Sequence, residues 1–156
     1  MSDTFFNSFV TENMGIISHI CRAYSTSEEE LKDLIQEVTI QLWKSHGKFK
    51  GDSKISTWVY RVTLNVCLGL SRRKRLLTEP LANTDFSEEI DTVEKEQIES
   101  LYLAIRNLSE SDRAIILLYL EKKSYQEISD ILGMTVTNVG VKVMRLKDKL
   151  KEMING

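Results

Sequence analysis

The stretch Ser124-Tyr-Gln-Glu-Ile-Ser-Asp-Ile-Leu-Gly-Met-Thr-Val-Thr-Asn-Val-Gly-Val-Lys-Val-Met-Arg-Leu-Lys constrains the fold of this chain most. Ser124 and Glu127 stand at S-x-x-E spacing, which satisfies two orphan backbone donors and starts a helix. Ile128, Ile131 and Leu132 give that helix one apolar stripe. Gly133 supplies a positive-φ stop. A second helix follows, with Thr135 or Thr137 as its N-cap. Its apolar positions Val139, Val143, Leu146 and Leu150 recur at helical spacing, and its other face carries Lys142, Arg145, Lys147, Lys149 and Lys151. A short helix, a glycine turn and a basic second helix form the geometry that seats one helix in a major groove, so the expected ligand is double-stranded DNA.

Composition narrows the rest. The 156 residues suffice for one ordinary domain or two small helical ones. No apolar run is long enough to span a bilayer and no secretory leader is evident, so the expected location is cytoplasmic. Cys21 and Cys67 are far apart in sequence with no C-x-x-C pattern, and each reads as a small buried hydrophobe rather than a disulfide partner or metal ligand. Autonomous DNA binders are usually basic, whereas the net charge here is −2. The charge is segregated: Glu28–Glu30 open one helix, Arg72–Arg75 form a basic run, and acidic residues crowd positions 79–96. This pattern implies weak DNA binding alone and a need for a partner.

Helical periodicity predicts α-helices over Phe5 to about Tyr24, with Phe6, Phe9, Val10, Ile16, Ile17 and Ile20 inward, and from a Ser27/Glu30 capping box to about Ser45. The second of these buries Leu31, Leu34, Ile35, Val38 and Leu42. A basic loop covers Gly47 to Lys54. A third helix runs from about Ser56 to Arg73, its basic end complementing the helix dipole. Residues 76–92 hold the only proline, Pro80, and read as a flexible acidic linker. Helices from Val93 to Asn107 and from a Ser109 cap follow, the latter with Ile115, Ile116, Leu118 and Leu120 on its core side. The expected fold is all-α: two small helical domains, 1–75 and 93–156, joined by that linker, with the helix-turn-helix in the second.

The first half carries a second ordered set: Asp33-Leu-Ile-Gln-Glu-Val-Thr-Ile-Gln-Leu-Trp-Lys, then Lys48-Phe-Lys-Gly, then Ser56-Thr-Trp-Val-Tyr-Arg-Val-Thr-Leu-Asn-Val, then the basic run. It resembles region two of bacterial sigma factors of the extracytoplasmic-function (ECF) group, and the C-terminal helices resemble region four. The resemblance covers nearly the whole chain, and both halves in this order are far more specific than either alone.

The resemblance implies a set of roles. Asp33, Gln36, Glu37, Trp43 and Lys44 would dock on core RNA polymerase. Lys48, Lys50, Lys54, Ser56, Thr57, Tyr60, Arg61 and Asn65 would meet the melted −10 strand, where flipped bases need stacking faces, polar groups for their edges and lysines for phosphates. Phe49 and Trp58 read as core. Arg72 and Arg73 would follow duplex phosphates. Thr137, Asn138, Val141, Lys142 and Arg145 would face −35 bases, since Asn can pair with adenine and Arg or Lys with guanine.

Two positions depart from the family pattern: Gly140, where a basic or polar residue is usual, and Thr39, where an apolar one is. The implied partners are core polymerase, promoter DNA and, as is common in the family, an anti-sigma factor. No catalytic constellation, metal cluster or cofactor motif is present in the sequence, so no enzyme is expected. The competing readings are a stand-alone helix-turn-helix regulator and a helical polymerase adaptor that reads no DNA.

Overall fold

The computed structural model describes residues 3–46, 55–77 and 93–155. The described elements are seven α-helices: α1 (Asp3–Ala23), α2 (Glu28–Ser45), α3 (Ile55–Leu77), α4 (Val93–Arg106), α5 (Glu110–Leu120), α6 (Tyr125–Leu132) and α7 (Val136–Asn155). They fall into two compact units, Met1–Asn83 and Thr84–Gly156. The basic loop and the acidic linker expected from the sequence lie outside the described residues.

In the first unit α1, α2 and α3 each pack on the other two. Their inward faces bury Phe6, Phe9, Val10, Ile17 and Ile20 from α1, Leu31, Leu34, Val38 and Leu42 from α2, and Val59, Leu64 and Cys67 from α3. The stripes read from the sequence for α1 and α2 supply their share of this core, with Ile16 and Ile35 at its half-buried margin, while the α3 face was not read from the sequence. The two cysteines, distant in sequence, meet here: Cys21 and Cys67 are both buried, with their sulfurs 3.9 Å apart. They form no disulfide, so each is a core residue as expected, but the pair is adjacent rather than isolated.

The start of α2 differs from the expected capping box. Ser27 Oγ accepts from the Glu30 backbone N–H at 3.1 Å, as a cap does. The Glu30 carboxylate, however, accepts from the backbone N–H and hydroxyl of Thr26, not from Ser27. Thr26 thus gives the acid two donors, one residue before the cap. Thr39 on the same helix is tolerated at a half-buried site because its hydroxyl donates to the Ile35 carbonyl at 2.8 Å. Helix α3 continues to Leu77, so the basic run lies inside its last two turns and does not terminate it.

In the second unit α7 is the spine: α4, α5 and α6 all pack against it. Val139, Val143, Leu146 and Leu150 of α7 are buried, matching the predicted stripe in full. Helix α5 is capped by Ser109 and buries Ala114, Ile115, Ile116, Leu117 and Leu118. Leu120, expected on the core side, is exposed at the end of α5. The chain turns there through Lys122, whose φ of 63° is the described non-glycine exception to negative φ. Arg113 of α5 ties α4 down by donating from Nη2 to the Arg106 and Leu108 carbonyls at 3.0 and 3.2 Å.

Candidate nucleic-acid and polymerase interface

Helix α6 begins with the complete capping box: Ser124 Oγ accepts from Glu127 N–H, and Glu127 returns its carboxylate to Ser124 N–H, both at 3.1 Å. It ends at Gly133, in the left-handed region at φ 71°. Thr135 then accepts from Asn138 N–H at 3.1 Å and so caps α7, which resolves the choice between Thr135 and Thr137. This short helix, three-residue turn and 20-residue helix set the outward face of α7. Thr137, Asn138, Val141 and Arg145 are all exposed on it, as expected.

Further features of α7 emerge from its packing. Met144 is the most exposed of the large hydrophobic residues among those described, at 67%, and it lies one turn beyond Val141. Its exposure follows once the buried stripe fixes the helix phase. Lys142, by contrast, is half-buried on the flank of the face and lies 3.7 Å from the Asp112 carboxylate of α5. At Gly140 an added Cβ would sit 3.4 and 3.6 Å from two ring carbons of Tyr125, ordinary contact, so packing does not demand a glycine there. Lys147 sits over the Tyr119 ring. The neighbouring Tyr119 hydroxyl raises its ammonium above the ordinary 10.5.

In the first unit the outward face of α2 is continuous. Asp33, Gln36, Trp43 and Lys44 are exposed and Glu37 is half-buried, all on the side opposite Leu31, Leu34, Val38 and Leu42. Ile40, which the sequence reading missed, sits among them and is also exposed. Trp43 lies at the surface, 42% exposed. Its ring is held edge-on by Phe6 at a centroid distance of 5.0 Å. The face is therefore an apolar centre, Ile40 and Trp43, rimmed by charge and amide groups, the usual composition of a protein-docking patch.

The −10 set divides. Arg61, Asn65 and Arg73 are exposed along α3, and Ser56 is half-buried at its start. Tyr60 and Thr57 are corrections: Tyr60 is 1% exposed and Thr57 is buried, because the phase of α3 turns both into the three-helix core. A base has no ring face to stack on at Tyr60. Trp58 is half-buried and its ring lies 5.8 Å from that of Phe9, close to the expected core role. Lys48, Phe49, Lys50 and Lys54 lie outside the described residues, as does the Arg72 side chain.

Between α2 and α3 runs a groove of about 390 Å³. Glu37, Gln41 and Ser45 line one wall, and Asn65, Gly69 and Arg73 the other. Gln41 donates to the Glu37 carboxylate at 3.1 Å. The groove thus joins a docking candidate and a DNA candidate, and presents carboxamides that can both donate and accept. Gln41 and Gly69 were missed, although each wall is an i, i+4 ladder of polar or small residues readable from the sequence. Among the described residues no group of acidic, histidine or cysteine side chains is arranged to hold a metal ion.

The chain matches the family models Sigma-70 region 2 over residues 9–76 and Sigma-70, region 4 over residues 98–150. It is 28% identical to the ECF RNA polymerase sigma-E factor of Haemophilus influenzae, across 96% of this chain and 87% of that one. It is 26% identical to the ECF RNA polymerase sigma factor SigG of Mycobacterium tuberculosis, across 87% of this chain but 45% of that protein. In fold it is similar to the sigma factor RpoE of Bartonella quintana, solved with the anti-sigma factor NepR. That likeness has a TM-score of 0.71 at 18% identity and covers 95% of this chain and 97% of that one. Two sigma-70 regions in this order, on two all-helical units, define a sigma-70 type transcription factor. The chain belongs to the ECF subfamily of these sigma factors, which bind core RNA polymerase and promoter DNA.

Proposed function

We propose that the first unit docks on polymerase through the α2 face and receives melted −10 bases along α3, while α6 and α7 act as a helix-turn-helix reading the −35 duplex. The observation that carries this reading is the phase of α7. It commits Val139, Val143, Leu146 and Leu150 to the core and leaves Thr137, Asn138, Val141, Met144 and Arg145 facing out. That surface offers hydrogen-bonding groups for base edges and apolar groups for thymine methyls.

Polymerase is required on energetic grounds. Opening duplex costs a mean of about 1.4 kcal/mol per base-pair step, and a captured base returns about 1–3 kcal/mol by stacking. The α2–α3 groove can hold few bases, so this chain nucleates melting and the enzyme completes it. Arg61, Asn65, Arg73 and the Lys48, Lys50 and Lys54 loop form the −10 contact set in this reading, with Arg72 on phosphates. The same α2 face, apolar at Ile40 and Trp43, suits an anti-sigma factor, a partner of the kind solved with the Bartonella protein. A role on polymerase fits a cytoplasmic location.

The test is transcription from fragmented genomic DNA by core polymerase with and without this chain, mapping transcript 5′ ends. New starts sharing two upstream motifs are expected, and Asn65→Ala abolishes opening while sparing polymerase binding. Polymerase binding without new starts would indicate an adaptor. Tight duplex binding with no polymerase binding would indicate a stand-alone regulator.

A further inference from the structure

The recognition face of α7 is flanked by Lys142, and that lysine is engaged before any DNA arrives. Its ammonium lies 3.7 Å from Asp112, with 41% of the lysine and 22% of the aspartate side chain exposed. Asp112 stands in the first turn of α5, where its backbone N–H donates to the Ser109 cap at 3.2 Å. The dipole of α5 also favours a carboxylate there. The acid is favoured where it stands, and the lysine, the longer and more exposed side chain of the two, is the partner that can turn to DNA. Stability does not demand the pair, because partly exposed ion pairs contribute little and α5 and α7 already pack together.

The two kinds of acceptor on DNA differ in what they ask of this pair. A phosphate brings a second anion beside Asp112, so Lys142 must leave the carboxylate or hold two like charges close together. A guanine edge offers uncharged O6 and N7 acceptors, which the ammonium can accept while still paired, having three donors. We propose that Asp112 is a specificity-determining residue of the −35 reader: it weakens phosphate contacts by Lys142, spares base contacts, and so suppresses binding to non-cognate duplex. The proposal rests on the reading of α7 as the −35 recognition helix.

The test uses holoenzyme reconstituted from core polymerase and the full chain. Abortive initiation is measured over a salt series on two promoters with one −10 element and either the native or a scrambled −35 element. Asp112→Asn is expected to raise occupancy of the scrambled promoter several-fold and to change the native promoter little. The salt dependence on the scrambled promoter steepens by about 0.9 in log–log slope, the value for one added phosphate contact. In a Lys142→Ala background the same substitution changes nothing further.

Equal gains on both promoters, or the same loss of discrimination without Lys142, would overturn the proposal in favour of a general charge effect. A fall on both promoters with a lower melting temperature would overturn it in favour of a structural role. Wild-type holoenzyme that fails to distinguish the two promoters would instead refute the −35 reading itself, and so separates the two failures.

Discussion

Gly140→Ala tests the packing of α6 on α7 directly. Glycine in a helix interior costs about 0.5–1 kcal/mol relative to alanine through backbone entropy. The added Cβ would meet the Tyr125 ring at 3.4 and 3.6 Å, which is ordinary contact, each atom pair adding about 0.1–0.2 kcal/mol of dispersion. The expected result is a gain of about 1 kcal/mol. For a domain of about 60–100 residues each kcal/mol moves the midpoint by about 4–8 °C, so the second unit should melt higher by that amount. Thermal unfolding of the full chain followed by circular dichroism measures it. A lower midpoint would refute the reasoning, and would mean that the ring and a side chain at 140 cannot coexist. A higher midpoint with weakened −35-dependent initiation would show that the glycine serves DNA approach instead.

Further outcomes are expected at other sites. Ser124→Ala removes the hydroxyl of the capping box and costs about 0.5–2 kcal/mol, read from chemical denaturation of the second unit. Arg113→Ala leaves the Arg106 and Leu108 carbonyls without that donor and costs about 1–3 kcal/mol, with faster hydrogen exchange at the end of α4. Lys147 is raised above its ordinary 10.5 by Tyr119. Its small contribution to stability is therefore fully present below that value and is lost as pH rises through the higher folded one. Side-chain NMR titration should return Lys147 toward 10.5 in Tyr119→Phe.

The helices were legible because apolar residues recur at one period through α1, α2 and α7, and a phase once set by Val139, Val143, Leu146 and Leu150 admits no alternative. The same phase rule fails for single polar residues near a core. Tyr60 and Thr57 look suited to DNA by type, but their positions on α3 face inward, a fact fixed only when α1 and α2 pack against it. Leu120 errs the other way, since the turn at Lys122 ends α5 before that residue can be covered. Pairings across helices, such as Lys142 with Asp112 or Tyr125 with Gly140, leave no mark at local spacing. The groove walls did leave one, in the i, i+4 series Glu37–Gln41–Ser45 and Asn65–Gly69–Arg73.

The meeting of Cys21 and Cys67 makes the first unit its own clock. Thiol reagents attack only thiolates that reach solvent, and neither sulfur does so in the packed bundle. The rate at which a thiol reagent consumes these two cysteines in native protein therefore times how often α1 and α3 separate, with no variant introduced. Because both sulfurs sit at one seam, a cooperative opening should consume them in step. Loss of one well before the other would instead mark a seam that parts from a single end, and would identify which helix leaves first.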